Sequence, residues 1–197
     1  MAISRRETER RARKKLIVDG AIKVFKSKGI DKATMDDIAI EAEFGKATLY
    51  YYFKSKEEIF NTILVFGWTT LWDGIEEVVV EENPPRRKFI KIIKRIIELV
   101  NEDRPLYEFL FFAPHSFETT KGTDAEWKQY QAKLINTLHQ LIKIGIEKKE
   151  FPNINSEMTL KALGHIFHGM VLMGQDRENI TEDEVEELFK QFMKKRS

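Results

Sequence analysis

The chain has 197 residues, 33 Lys and Arg against 32 Asp and Glu, 42% hydrophobic residues and no cysteine. That length can bury a substantial core in one large or two small domains, and the missing thiols exclude disulfides and thiolate metal sites, so a reducing cytoplasm suits the chain. The first twenty residues are charged with no apolar run to serve as a signal peptide, and the longest apolar region, Ala162 to Gly174, is broken by His165 and His168 and is too short to span a bilayer; a soluble, cytoplasmic protein is expected.

The net charge of +1 hides an asymmetry. Residues 1 to 56 hold 14 Lys and Arg against 8 Asp and Glu, whereas residues 57 to 197 hold 19 against 24. One end is suited to polyanions. The arm SRRETERRARKK carries seven of those positive charges and can lay them along phosphates, where affinity comes mainly from counterion release; its plainer reading is a solvated, frayed helix start.

After the arm, Leu16, Ile17, Ala21, Val24 and Phe25 form an apolar stripe at helical spacing, ending at Gly29 with Ile30 placed to pack back. Thr34 can cap a second helix whose apolar positions Met35, Ile38, Ala39 and Ala42 fall three and four apart, with Asp36 and Asp37 at the positive end of the macrodipole. Phe44 and Gly45 break that pattern. A third helix from Lys46 buries Leu49 and Phe53, four apart, and leaves Lys46, Ala47, Thr48, Tyr50 and Tyr52 largely free of the core. Two short helices joined by a tight turn form the layout of a helix-turn-helix, in which the second helix enters the major groove of DNA.

Ser55 with Glu58 forms a capping box that opens a helix through Ile59, Ile63 and Phe66 towards Val80. Pro84 and Pro85 mark a break before the stripe Phe89, Ile92, Ile93, Ile96, Ile97 and Val100. Pro105 suits the first turn of a helix over Leu106 to Phe112, which Pro114 stops, and His115 to Gly122 read as a loop. Thr123 with Glu126 caps the helix of Trp127, Tyr130, Leu134, Leu138, Leu141 and Ile142. A turn over Pro152 to Asn155 leads into a helix from about Ser156 to Gln175, and Thr181 with Glu184 caps a last one bearing Val185, Leu188, Phe189 and Phe192. No stretch alternates with period two, so the fold expected is all-α, with about nine helices.

The stretch from about Ala12 to Phe60 resembles the TetR family of bacterial transcriptional regulators. The resemblance is carried by Thr34, Asp37, Ile38, Ala39, Ala42, Lys46, Thr48, Leu49, Tyr50, Tyr52, Phe53, Lys54, Lys56, Glu57 and Glu58 at the family's spacing. Three positions depart from it: Glu43 replaces the turn glycine, Gly45 replaces a serine, and Ala47 replaces a glycine of the recognition helix. A left-handed Glu43 would cost about 1 to 2 kcal/mol, and Gly45 offers the turn a way to shift and avoid it.

The resemblance implies a DNA-binding head over residues 1–55 and a ligand-binding and dimerisation body over 56–197. It implies backbone contacts from Lys46, Thr48, Tyr50, Tyr52 and Lys56, with Thr34 at its helix start, and Ala47 facing a base. The body is rich in aromatics, most of them ordinary core, and as a set they suggest an apolar cavity for a lipophilic or aromatic small molecule. Trp72, Phe109, Phe112, Trp127, Tyr130 and His168 are the candidate wall. In such regulators an inducer shifts the helix after the head, which here carries Trp68 and Trp72. The last two helices would pair two copies, with Gly164 and Gly169 permitting close approach and Leu188, Phe189 and Phe192 supplying the apolar face. The partners implied are a palindromic DNA operator, a small-molecule inducer and a second copy, and the action expected is repression; no membrane partner is expected.

His165 and His168, one turn apart, are polar handles of a pocket, a metal pair, or simply hydrogen-bonded interface or core residues, and the last reading is preferred. A helical-bundle enzyme built on them is the rival from another class. No His has Glu three positions before it, as a di-iron bundle requires, and GxGxxG, GxxxxGK, HExxH and GxSxG are absent. No catalytic residue, metal or cofactor is therefore expected. An architectural DNA-binding protein without ligand is a second rival, weakened by the large aromatic body.

Overall fold

A computed structural model describes residues 4–112 and 126–169, together with 183, 184 and 187. Among the described residues there are eight helices and no strand, as the periodicity requires: α1 (Arg5–Lys28), α2 (Met35–Glu41), α3 (Lys46–Tyr52), α4 (Lys56–Val80), α5 (Pro85–Glu102), α6 (Arg104–Phe112), α7 (Glu126–Glu147) and α8 (Ser156–Phe167). The expected helix after Thr181 and the cap at Thr123 lie outside these residues or only partly within them. The chain divides into two compact units, one of residues 1–67 with 105–125 and one of 68–104 with 126–197.

In the first unit the basic arm is helical from Arg5, because the Ser4 hydroxyl accepts from the Glu7 amide at 3.3 Å and so caps α1. Gly29, at φ 75°, ends α1, and its N–H donates to the Phe25 carbonyl. α1 and α2 cross where Gly20 leaves room: a Cβ there would lie 2.9 Å from the Ala42 Cβ. Leu49, Phe53, Ile59, Phe60 and Ile63 are fully or almost fully buried. α6 completes this core from a distant part of the chain. Phe109 stacks on Phe25 at 5.8 Å and meets Phe60 edge-on at 5.6 Å, and Lys26 pairs with Glu108 at 2.5 Å.

In the second unit, α5 buries the expected stripe Phe89, Ile92, Ile93, Ile96, Ile97 and Val100, packed with α7. Pro84 is the N-cap of α5 and Pro85 its first residue, so no side-chain cap exists; the Glu150 carboxylate accepts from the Arg86 amide at 2.9 Å in its place. α7 ends in a tight turn with Lys149 at φ 59°, where the Gly145 carbonyl accepts from the amides of Glu150 and Phe151 at 2.8 and 3.0 Å. Phe151 folds back so closely that a Cβ on Gly145 would sit 2.4 Å from its ring. Asn155 caps α8 by accepting from the Met158 amide at 2.9 Å.

Candidate nucleic-acid interface

The helix-turn-helix is α2, the turn Ala42–Gly45 and α3. Thr34 and Asp37 form a full capping box: the Asp37 amide donates to the Thr34 hydroxyl at 3.1 Å, and the Thr34 amide donates to the Asp37 carboxylate at 3.1 Å. The Thr34 hydroxyl also donates to that carboxylate at 2.8 Å. The Lys28 ammonium, 2.6 Å away, and then the Thr34 hydroxyl hold the Asp37 carboxyl below its usual range. The start of α2 is thus tied to the end of α1.

The turn keeps its left-handed residue. Glu43 has φ 57°, while Gly45 adopts ordinary extended backbone at φ −64° as the N-cap of α3. The escape offered by Gly45 is not taken, because the Glu43 and Phe44 amides donate to the Ile40 and Ala39 carbonyls at 3.1 and 2.9 Å and fix the chain's path.

α3 buries Leu49 completely, and Phe53 is its buried C-cap. Lys46 and Ala47 are consequently exposed, Thr48 and Tyr52 half-buried, and Tyr50 and Tyr51 are 47% and 75% exposed. Tyr51 is thus the most open of the three tyrosines, and the sequence reading passed over it because the family spacing marks only its two neighbours. Its ring meets that of Tyr52 edge-on at 5.2 Å. Lys46 holds Asp36 of α2, its ammonium 2.8 Å from one carboxylate oxygen and 2.9 Å from the other, and this partner raises the lysine's pKa.

Lys56 is engaged within the protein. Its ammonium does not stand out towards a polyanion; it donates to the carbonyls of Ile30, Asp31 and Ala33 at 2.9, 2.8 and 2.9 Å. All three N–H donors are used to tie the start of α4 to the loop between α1 and α2. Ser55 accepts from the Glu58 amide at 3.3 Å as its motif requires, but the Glu58 carboxylate reaches back to the Lys54 amide, at 2.7 Å, and not to that of Ser55.

The candidate ligand residues divide. Phe109 lies in the core of the first unit, its ring against those of Phe25 and Phe60. Phe112, on α6, falls in the same unit. Trp72, Trp127, Tyr130 and His168 lie in the second unit. Trp72 is 4% exposed, donates its indole N–H to Glu76 at 3.0 Å and carries the Lys133 ammonium 3.8 Å from its ring centroid. Trp127 is 3% exposed, and its indole N–H has no acceptor among the described residues. Tyr130 and His168 are half-buried, and burial followed by the neighbouring His165 lowers the His168 pKa. His165 is exposed, with Nδ1 2.7 Å from the Lys161 carbonyl oxygen. Gly164 and Gly169 are exposed, and among the described residues a Cβ on either would meet nothing within 4 Å. Leu188, Phe189 and Phe192 lie outside the described residues. Among the described residues no helix is long and apolar enough to cross a membrane.

A capped α2, a fixed turn and an α3 that buries one side and presents lysine, alanine and tyrosines on the other define a helix-turn-helix DNA-binding protein. Comparison with known proteins agrees. The family model for bacterial regulatory proteins of the tetR family matches residues 17–63. The uncharacterized HTH-type transcriptional regulator YhgD of Bacillus subtilis is 28% identical over 149 residues, which cover 75% of this chain and 76% of YhgD. IcaR of Staphylococcus epidermidis, the HTH-type negative transcriptional regulator of the biofilm operon icaADBC, is 28% identical over 145 residues, covering 70% of this chain and 75% of IcaR. Among solved structures, the TetR family transcriptional regulator PfmR of Thermus thermophilus aligns with a TM-score of 0.72 at 18% identity, over 90% of this chain and 96% of that one. AibR in complex with isovaleryl coenzyme A and operator DNA aligns at 0.77 and 15% identity, over 92% and 98%. Residues 17–63 thus carry the DNA-binding region of the tetR family of bacterial regulatory proteins, and these likenesses together support a TetR family transcriptional regulator.

Proposed function

We propose that the chain is a homodimeric repressor that binds a palindromic DNA operator through α3 and is released from it by a lipophilic or aromatic small molecule. The exposed row on α3 carries this reading. In the proposed assignment residues 1–55 read DNA, Lys46, Thr48, Tyr50 and Tyr52 grip the backbone, Ala47 faces a base, and Thr34 contributes at the start of α2. Lys56 acts indirectly by holding the α1–α2 loop. IcaR, a negative regulator by name, supports repression, and AibR, known with both a coenzyme A thioester and operator DNA, supports a small-molecule partner.

Residues 56–197 supply the sensor and the dimer. The buried indole N–H of Trp127, without an acceptor among the described residues, supports a polar group on the ligand, since an unpaired buried donor costs about 1 to 3 kcal/mol. Gly164 and Gly169, over which no described residue lies within 4 Å of an added Cβ, together with the 68% exposed Met158 of α8, support close approach by a second copy. Two-fold pairing sets half-site centres about one helical turn apart, roughly 34 to 36 Å.

The test measures a compound's affinity with and without saturating operator. An inducer must lose affinity on the operator complex by the same factor by which it weakens DNA binding. Equal affinities for every compound that binds the body would exclude ligand-controlled release.

A further inference from the structure

The cations of the N-terminal arm are sorted by their partners. Arg5 pairs with Glu9 at 3.1 Å, Arg11 with Glu7 at 4.0 Å and Lys15 with Asp19 at 3.1 Å, while Lys14 lies 5.3 Å from the centroid of the Phe53 ring. Arg6, Arg10 and Arg13 have no ion pair among the described residues. Those three, with Glu9, Tyr51 and Tyr52, line a cleft of about 240 Å³ between α1 and the end of α3. Spacings of four and three put the arginines on one face of α1. Glu9, the one acid of the cleft, is already met by Arg5, so the cleft is cationic.

We propose that this cleft is a second DNA-backbone site, gripping phosphates that flank the segment read by α3. It rests on the reading of α3 as a DNA-binding helix. The length of the site favours a polymer over a single anion: at about 1.5 Å per residue, Arg6 to Arg13 cover about 10 Å of helix, which matches about three phosphates along one strand. The guanidiniums offer forked donors and the tyrosines offer hydroxyls, groups that position a duplex without reading its sequence.

The test compares two double variants of equal net charge in the whole chain, Arg6→Gln with Arg10→Gln and Arg5→Gln with Arg11→Gln, with circular dichroism as the check on folding. Each is titrated over a range of salt against a duplex selected by the wild type from a random pool. The first pair should lower the slope of log affinity against log salt by about two per bound head, remove hydroxyl-radical protection of the flanking phosphates and leave base preference unchanged. The second pair should lower it by less than about one. Equal losses in the two variants would show that the arm acts through net charge alone and would overturn the site, as would unchanged slope and protection in the first. A wild-type chain that binds no duplex would remove the reading of α3, and this site with it.

Discussion

Lys46 at the head of α3 and Asp36 in the first turn of α2 are locked together, the ammonium lying 2.8 and 2.9 Å from the two carboxylate oxygens. Asp36 therefore occupies the cation that the DNA reading assigns to a phosphate, and its own negative charge faces the approaching backbone. Replacing Asp36 with Asn should raise operator affinity, about two- to five-fold at low salt, the scale of an exposed ion pair. Lys46→Ala should weaken binding to all duplexes and lower the salt slope by about one. Unchanged affinity and slope in the lysine variant would place α3 in the wrong orientation.

Glu43 supplies the second prediction. Its left-handed backbone, at φ 57°, costs about 1 to 2 kcal/mol, of which glycine would recover part against its own greater chain entropy. Glu43→Gly should stabilise the protein by up to about 1 kcal/mol, seen as a rise of about 2 to 4 °C in Tm. A lower Tm would mean that the Glu43 side chain makes a stabilising contact that outweighs the strain.

Lys56 and Lys46 should separate cleanly. Lys56→Met removes three charge-assisted hydrogen bonds to the α1–α2 loop and should cost about 2 kcal/mol in urea unfolding, while the salt slope of DNA binding stays at the wild-type value. A slope reduced by about one with stability intact would instead make Lys56 a direct phosphate contact.

A fourth expectation concerns acid. Lys28, then Thr34, depress the Asp37 carboxyl in the folded state, so its contribution is fully present above the unfolded value of about 3.9 and is lost as pH falls through the folded one. Asp37→Asn should therefore melt below the wild type at pH 7, and the gap should narrow towards pH 3. A gap constant over that range would show that the carboxylate's charge is not what stabilises the start of α2.

What was legible in the chain was local. Thr34 as the cap of α2, Leu49 and Phe53 as the buried side of α3, and the α5 stripe follow from local residue type and spacings of three and four, which the sequence records directly. Long-range partners left no such trace. The Lys56 ammonium finds carbonyls 23 to 26 residues away, and Glu150 caps α5 from 64 residues away. Phe109 has the spacing of any core aromatic, and nothing in it says that α6 completes the first unit and not the second. Tyr51 was missed for a related reason, as was the sorting of the arm's arginines into those with and those without an ion pair among the described residues. A family pattern names the positions that relatives share, whereas the cleft depends on which cations of this arm already have an acid one turn away.

The central claim, that α3 reads a DNA sequence with Ala47 against a base, is tested most directly by selecting duplexes from a random pool with the wild type and with an Ala47→Arg variant. The account predicts that the wild type enriches a palindrome with half-sites about one helical turn apart, and that the variant enriches a palindrome of the same spacing with a changed base pair in each half. Enrichment of the same sequence by both proteins, or of no sequence by the wild type, would contradict it.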